Sequence, residues 1–305
     1  MAARRGGAVM SGPTVGIVGL GIMGLAYARN LRKAGFDVAG TDPSAPAMAA
    51  LAEAGGSALP DAAAVAGACD VVLLALPSAA ALHAVTEAMV PALRPGQILA
   101  EMGTLPIAEK EAARLRIAPT GAILTDCPVS GTGAQAARGD LVVFMSGPEA
   151  ATERLRPVFA GLARDVRHIG PFGHGMKLKI VANLLVTIHN LAAAEALLLA
   201  ERSGLDLAAT LDALTAGAGS SRMLEVRGPL MVAGSYTPAT MKMDVYQKDL
   251  DVILDHAAAM RTPVPLMAAS VPYYSAALAQ GRDKEDTAAL FAVLRRLAGA
   301  TDADA

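Results

Sequence analysis

The sequence predicts an α/β chain in two parts: an N-terminal doubly wound, largely parallel sheet joined by a long helix to an all-α C-terminal domain. Three observations carry this. Short β-branched runs alternate with Ala-rich helical patterns as far as residue 172, and beyond it helical patterns take over almost completely. A Gly-x-Gly-x-x-Gly run joins the first strand pattern to the first helix pattern. At 305 residues the chain is also long for a single core. The expected division is a loose tail at 1–12, a sheet domain at 13–172 and a helical domain at 173–305, with a frayed end at 301–305.

Hydrophobic residues make up 53% and charged residues 18%, the balance of a compact globular protein. A net charge of −2 without any block of like charge points away from nucleic acid and from anionic membrane surfaces. Mean hydropathy is positive, yet no stretch is expected to cross a bilayer. The most apolar helical pattern, 180–200, is interrupted by Asn183, His189, Asn190 and Glu195. Residues 1–12 carry Arg4 and Arg5 but no apolar segment, so no signal peptide is expected. Cys69 and Cys127 make neither a disulfide framework nor a metal site, and a reducing cytoplasm is the expected location.

Residues 14–18 read as a buried strand, followed by Gly19-Leu20-Gly21-Ile22-Met23-Gly24 and a helix to about residue 34, closed by Gly35. Gly19 permits the tight turn, Gly21 lets a pyrophosphate approach the backbone, and Gly24 lets helix and strand pack closely. The helix N-terminus faces the phosphate charge, so the run reads as a Rossmann dinucleotide site. A second strand at 37–41 ends in Asp42. A carboxylate there accepts from the ribose hydroxyls and repels a 2′-phosphate, so NAD is expected over NADP. The same residue also suits an Asp42-Pro43-Ser44 turn.

Strand patterns follow at 70–76, 98–102, 122–126 and 141–145, mostly with helices between them. Ligands of such sheets bind at the carboxyl ends of the strands, where Leu76, Pro77, Thr104 and Ser130 fall. For Pro77, Ser78 and Thr104 ordinary turn and N-cap chemistry is the plain alternative. In Cys127-Pro128-Val129-Ser130-Gly131-Thr132-Gly133, a hydroxyl followed by small residues with free N–H groups makes a pocket for a small anion such as a carboxylate. Cys127 has no base at readable spacing and is read as packing. A helix at 148–163 and a last strand at 165–169 close the alternation.

Gly173 and Gly175 then lead into a helix at about 175–203. At about 100° per residue Lys179 and Asn183 share a face, with Lys177 nearly opposite. A lysine on a mostly apolar helix at a domain junction suits proton transfer, because desolvation lowers an ammonium pKa. Snorkelling of both lysines to water is the other reading. Further helices are expected at 206–215, 221–232, 244–260, 265–280 and 286–297. His174 and His189 have no second ligand at metal spacing, so no metal is expected. Lys248-Asp249 is either surface charge or a pair reaching the cleft.

Four motifs now stand in order: Gly19-x-Gly21-x-x-Gly24, Asp126-Cys127-Pro128-Val129-Ser130-Gly131, Gly173-x-Gly175-x-x-x-Lys179-x-x-x-Asn183, and Lys248-Asp249-Leu250. Together they resemble the β-hydroxyacid dehydrogenases, the family of 3-hydroxyisobutyrate dehydrogenase, tartronate semialdehyde reductase and, more distantly, 6-phosphogluconate dehydrogenase. The resemblance runs from about residue 14 to about residue 297. It implies an NAD-dependent oxidoreductase of a small 3-hydroxy acid or semialdehyde, assembled as a homodimer or homotetramer. Lys179 matches the general acid/base and Asn183 the amide that positions the reacting oxygen. Ser130 and Gly131 match the carboxylate-binding turn, Lys248 a lysine near the nicotinamide, and Thr104 part of the element at that ring. The chain departs from the pattern in three places. Ala182 replaces the first of two asparagines, Thr132 replaces a glycine, and Gly103-Thr104 stands for Ser-Thr. Thr132 is expected to keep its N–H for the anion while adding a hydroxyl, which bears on substrate more than on chemistry. Imine reductases share this architecture but resemble it without the lysine. A non-catalytic dinucleotide-binding scaffold is the alternative outside enzymes.

Overall fold

The computed structural model describes residues 13–300. The tails at 1–12 and 301–305 lie outside the described residues. The chain divides after Lys179 into two compact units. In the first, the elements run β1 (Val15–Val18), α1 (Ile22–Lys33), β2 (Val38–Thr41), α2 (Ala45–Glu53), β3 (Ser57–Ala58), α3 (Ala62–Ala68), β4 (Val71–Leu74), α4 (Ala79–Met89) and β5 (Ile98–Glu101). They continue with α5 (Ile107–Ile117), β6 (Ile123–Asp126), β7 (Val129–Ser130), α6 (Gly133–Ala137), β8 (Leu141–Ser146), α7 (Glu149–Ala160) and β9 (Ala163–Gly170). Helix α8 (His174–Arg202) opens in this unit and continues through the second, which adds α9 (Leu207–Ala216), α10 (Arg222–Ala233), α11 (Met243–Ala259), α12 (Pro265–Ala279) and α13 (Leu290–Leu297).

The sheet order is β3-β2-β1-β4-β5-β6-β8-β7, with β9 paired to β8. From β3 to β6 every pair is parallel, with β1 between β2 and β4, so the order reverses beside the glycine run. That reversal opens the crevice in which doubly wound sheets hold their ligands. Strands β1, β2, β4 and β5 are buried along their whole length, as parallel strands covered by helices on both faces must be.

The sheet departs from the expected pattern at its far edge. Strand β8 runs antiparallel to β6 and β7, and neither β7 nor the two-residue β3 stands out in the sequence. A parallel return needs a crossover of a dozen or more residues, whereas β7 and β8 are linked by a short segment containing only the five-residue α6. In the helical unit, the single helix expected at 286–297 is a 3-10 turn, Thr287–Ala289, followed by α13.

Helix α8 corrects the expectation that nothing in the chain suits a bilayer, because its 29 residues are long and apolar enough to cross one by length and composition. In this fold 44% of its most apolar stretch is buried against protein. Its polar positions Asn183, Thr187 and Asn190 are buried too and bond to side chains or backbone within the helical unit. These buried polar positions fasten one face of helix α8 into that unit.

Candidate active site

The glycine run is built as its spacing suggests. Gly19 has φ +93°, and a Cβ there would overlap the carbonyl oxygen of Ala75. A Cβ at Gly24 would overlap the carbonyl oxygen of Gly19, so helix and turn can close only without one. A Cβ at Gly21 would meet nothing within 4 Å, which leaves the backbone open on that side. Gly21 also starts α1 with no side-chain cap and no acidic residue in the first turn. Open space in front of uncapped helical N–H groups fits a pyrophosphate. Ile22 is 73% exposed beside that opening, and Met23 is half-buried. Leu20 turns the other way: its side chain is fully buried and its N–H donates to Asp42 Oδ2 at 2.7 Å. Leu20 therefore locks the loop to β2 and does not offer its amide to a ligand. Asp42 also accepts from the Ser44 N–H at 2.8 Å, so it is a turn residue.

Three other strand ends gather at this loop. Leu76 lies against the Gly19 turn, and its carbonyl oxygen would be 3.1 Å from a Cβ at Gly103. Pro77 is exposed beside Ser78, whose hydroxyl caps α4 by accepting from the Ala81 N–H. Thr104 is half-exposed after Gly103. The 130–133 turn reaches the loop through Gly133, where a Cβ would be 2.6 Å from Ile22 Cγ2.

Within that turn, Ser130 ends β7 half-buried, and Gly131 has φ +141° with room for no Cβ, which would lie 2.5 Å from Leu141 Cδ2. Thr132 corrects the sequence reading. Its N–H donates to Gln135 Oε1 at 3.0 Å while its hydroxyl caps α6, a reciprocal capping box. Neither group is left for an anion. Cys127 is packing, as expected: it is fully buried, and burial pushes its thiol up to about 12.

Beneath these loops lies a charged cluster that sequence reasoning missed. Lys110 Nζ stands 2.6 Å from Asp126 Oδ1 and 2.6 Å from Glu101 Oε2, all three side chains fully buried. Asp126 Oδ2 accepts from the Met176 N–H at 2.8 Å and from the Ser146 hydroxyl at 3.0 Å. The Ser146 oxygen in turn accepts from the Gly175 N–H at 2.9 Å. Glu101 Oε1 accepts from the Gly103 N–H at 2.8 Å. Burial drives the Glu101 carboxyl above the usual carboxylate range, against the pull of Lys110. Lys110 is shifted up, because the two carboxylates outweigh its own burial. One signal was available: Lys110 shares a helix face with Ala113 and Ile117, both fully buried, so a charge sits at a core position.

Lys179 is half-buried on α8, one turn beyond Met176. Asn183, on the same face, is 5% exposed and donates from Nδ2 to Asp249 Oδ2 at 3.0 Å. Asp249, read from the sequence only as part of the Lys248-Asp249 pair, thereby fixes which way the amide points. Thr187 and Tyr246 hydroxyls both reach the Asn183 carbonyl oxygen. Lys248 lies beside Asp249 on α11, its Nζ 3.8 Å from Oδ1 and its side chain 40% exposed. His174 and His189 are half-buried, and among the described residues no cluster of three or more His, Cys, Asp or Glu could hold a metal.

Comparisons with known proteins agree with this architecture. The family model for the NAD-binding domain of 6-phosphogluconate dehydrogenase matches residues 14–170. The model described as NAD-binding of NADP-dependent 3-hydroxyisobutyrate dehydrogenase matches 173–294. An L-threonate dehydrogenase from Cupriavidus necator is 36% identical over 92% of this chain and 95% of its own. The chain belongs to the β-hydroxyacid dehydrogenase family. A 2-hydroxy-3-oxopropionate reductase from Escherichia coli is 31% identical over 93% of this chain and 98% of its own. The crystal structure of a 3-hydroxyisobutyrate dehydrogenase from Salmonella typhimurium superposes with a TM-score of 0.82 at 35% identity, covering 92% of this chain and 99% of that one. This family member is a nicotinamide-dependent oxidoreductase acting on the CH–OH group of a hydroxy acid.

Proposed function

We propose that the chain interconverts a small hydroxy acid and its oxo acid or semialdehyde with NAD, using Lys179 as general acid and base. The observation that carries this is the pairing on α8 of half-buried Lys179 with Asn183, whose amide Asp249 holds in one orientation. The bound nicotinamide supplies the hydride acceptor or donor. Ser130 and the Gly131 N–H hold the substrate carboxylate, and Asn183 positions the reacting oxygen. Lys179 takes the hydroxyl proton in oxidation and returns it to the carbonyl oxygen in reduction. Asp42 supports NAD over NADP, since its carboxylate closes the β2 end of the loop to a 2′-phosphate. Lys248 supports contact with the nicotinamide end.

Among substrates, L-threonate comes first, on the 36% identity to the threonate dehydrogenase. Tartronate semialdehyde and 3-hydroxyisobutyrate stand beside it on the matches to the reductase and to the crystal structure. An apolar exposed stripe on α8, Val181, Leu185, Ala192, Ala196 and Leu199, supports assembly as a homodimer or homotetramer. Two free, buried cysteines support a reducing cytoplasm.

The test is turnover of these substrates, in both directions, with NAD(H) and NADP(H). NAD-linked turnover of one of them is expected, and Lys179→Ala is expected to lower kcat by roughly 10²–10⁴-fold. Near-normal kcat in Lys179→Ala would sink the acid–base assignment. Preference for NADPH would sink the argument from Asp42 and leave Lys179 standing.

A further inference from the structure

A buried carboxylate is costly unless each oxygen has a partner, and Asp126 uses both of its oxygens on different elements. Oδ1 faces Lys110 on α5, while Oδ2 takes the Met176 N–H of α8 and the Ser146 hydroxyl of β8. The first amides of a helix have no intrahelical acceptor. In α8 two of them, at Gly175 and Met176, are taken by side chains of β8 and β6. A Cβ at Gly175 would overlap the Phe144 carbonyl oxygen and lie 2.9 Å from that of Asp126, so the helix start rests directly on the strand backbones. Lys179 lies three residues past Met176, on the same side of the helix and about 4.5 Å further along its axis. The cluster's other carboxylate, Glu101, holds the Gly103 N–H next to Thr104. Tyr27, fully buried on α1, has its hydroxyl pushed upward, first by burial and then by the Glu101 charge.

We propose that Lys110, Asp126 and Ser146 are positioning residues for the reaction, a buried anchor that sets the height and rotation of the first turn of α8 and thereby aims Lys179. The anchor touches neither substrate nor cofactor and acts only through the helix. It rests on the reading of Lys179 as acid and base. Misplacement of a reacting group by about 1 Å costs on the order of 10²-fold in rate, so loosening this turn should appear in kcat before it appears in binding.

Two variants of the full chain test this. Asp126→Asn removes the charge, and Ser146→Ala removes only the hydroxyl, so the second keeps the test open if the first does not fold. For each, three quantities are read: amide exchange over 174–179, kcat and KM with the substrate that wild type turns over, and the NADH dissociation constant by fluorescence. The expected result is exchange over 174–179 at least tenfold faster, with that over β4 unchanged. A kcat lowered roughly 10–100-fold, with KM and the NADH constant within about threefold, completes it. Unchanged exchange at 174–179, or kcat within twofold of wild type, overturns the proposal. Parallel loss of kcat and NADH binding also overturns it, since that is general damage to the fold. Lys179→Ala is measured alongside. If it retains turnover, the acid–base reading fails, and that failure is separate from any result at Asp126 or Ser146.

Discussion

Each compact unit buries carboxylate charge at full depth, two groups in the sheet unit and Asp286 in the helical one, and holds it differently. In the sheet unit Glu101 and Asp126 share a single cation, Lys110. In the helical unit Asp286 accepts four hydrogen bonds, from the N–H groups of Thr240, Met241 and Ala288 and from the Thr240 hydroxyl, with Arg227 Nε 3.4 Å away. Burial pushes both Glu101 and Asp286 upward. For Glu101 burial prevails and the carboxyl ends above the usual range, whereas for Asp286 Arg227 and the donors prevail and it ends below. Burial is the largest influence on both carboxyls, and the outcome depends on whether the partners of each offset it: one N–H and a shared lysine do not at Glu101, while an arginine and four donors do at Asp286. Asp286 serves as a fastener, while the 101–110–126 cluster is held under electrostatic load.

Three substitutions break or sharpen that contrast. The largest effect is expected from Lys110→Met, which keeps the volume and leaves two carboxylates buried without a cation. It should cost about 3–5 kcal/mol of stability, read as a shift of the urea midpoint of the sheet unit. A cost below about 1 kcal/mol would mean that the carboxylates had found other partners.

Asp286→Asn should cost less, about 2 kcal/mol at neutral pH, because charge-assisted bonds are exchanged for neutral ones. Its sign with pH follows from the lowered folded value. The Asp286 contribution is fully present above the unfolded pKa of about 3.9 and is lost as pH falls through the lower folded value. The gap between wild type and Asp286→Asn should therefore close on acidification below about pH 4. A gap that widens there would contradict the assignment.

Glu101→Gln should have the smallest effect, within about 1 kcal/mol either way. It removes one of two charges competing for Lys110 and keeps an acceptor for the Gly103 N–H. If it destabilised as much as Lys110→Met, the claim of a loaded cluster would fail.

The fold was largely legible because its signals are local. A strand, a glycine turn and a helix within twenty residues define the dinucleotide loop, and one helix carries Lys179 and Asn183 four residues apart. What stayed hidden depends on pairings across distance. Asp126 meets Lys110 across 16 residues and Met176 across 50, and Asn183 meets Asp249 across 66. Thr132 was misread for another reason. A glycine-like site and a helix N-cap demand similar residues, and only the placement of Gln135 shows that the N–H is already taken.

The sequence by itself determined the alternation of strands and helices, the glycine loop, Asp42 at the end of β2, and the lysine–asparagine face of α8, because periodicity and turn chemistry are properties of neighbouring residues. The tertiary structure alone decided that Lys110 lies in the core, that Glu101 is loaded while Asp286 is not, and that α8 begins on Asp126 and Ser146. A charge is placed by the partners that make its burial tolerable, and those partners come from elements that meet only when the chain has folded.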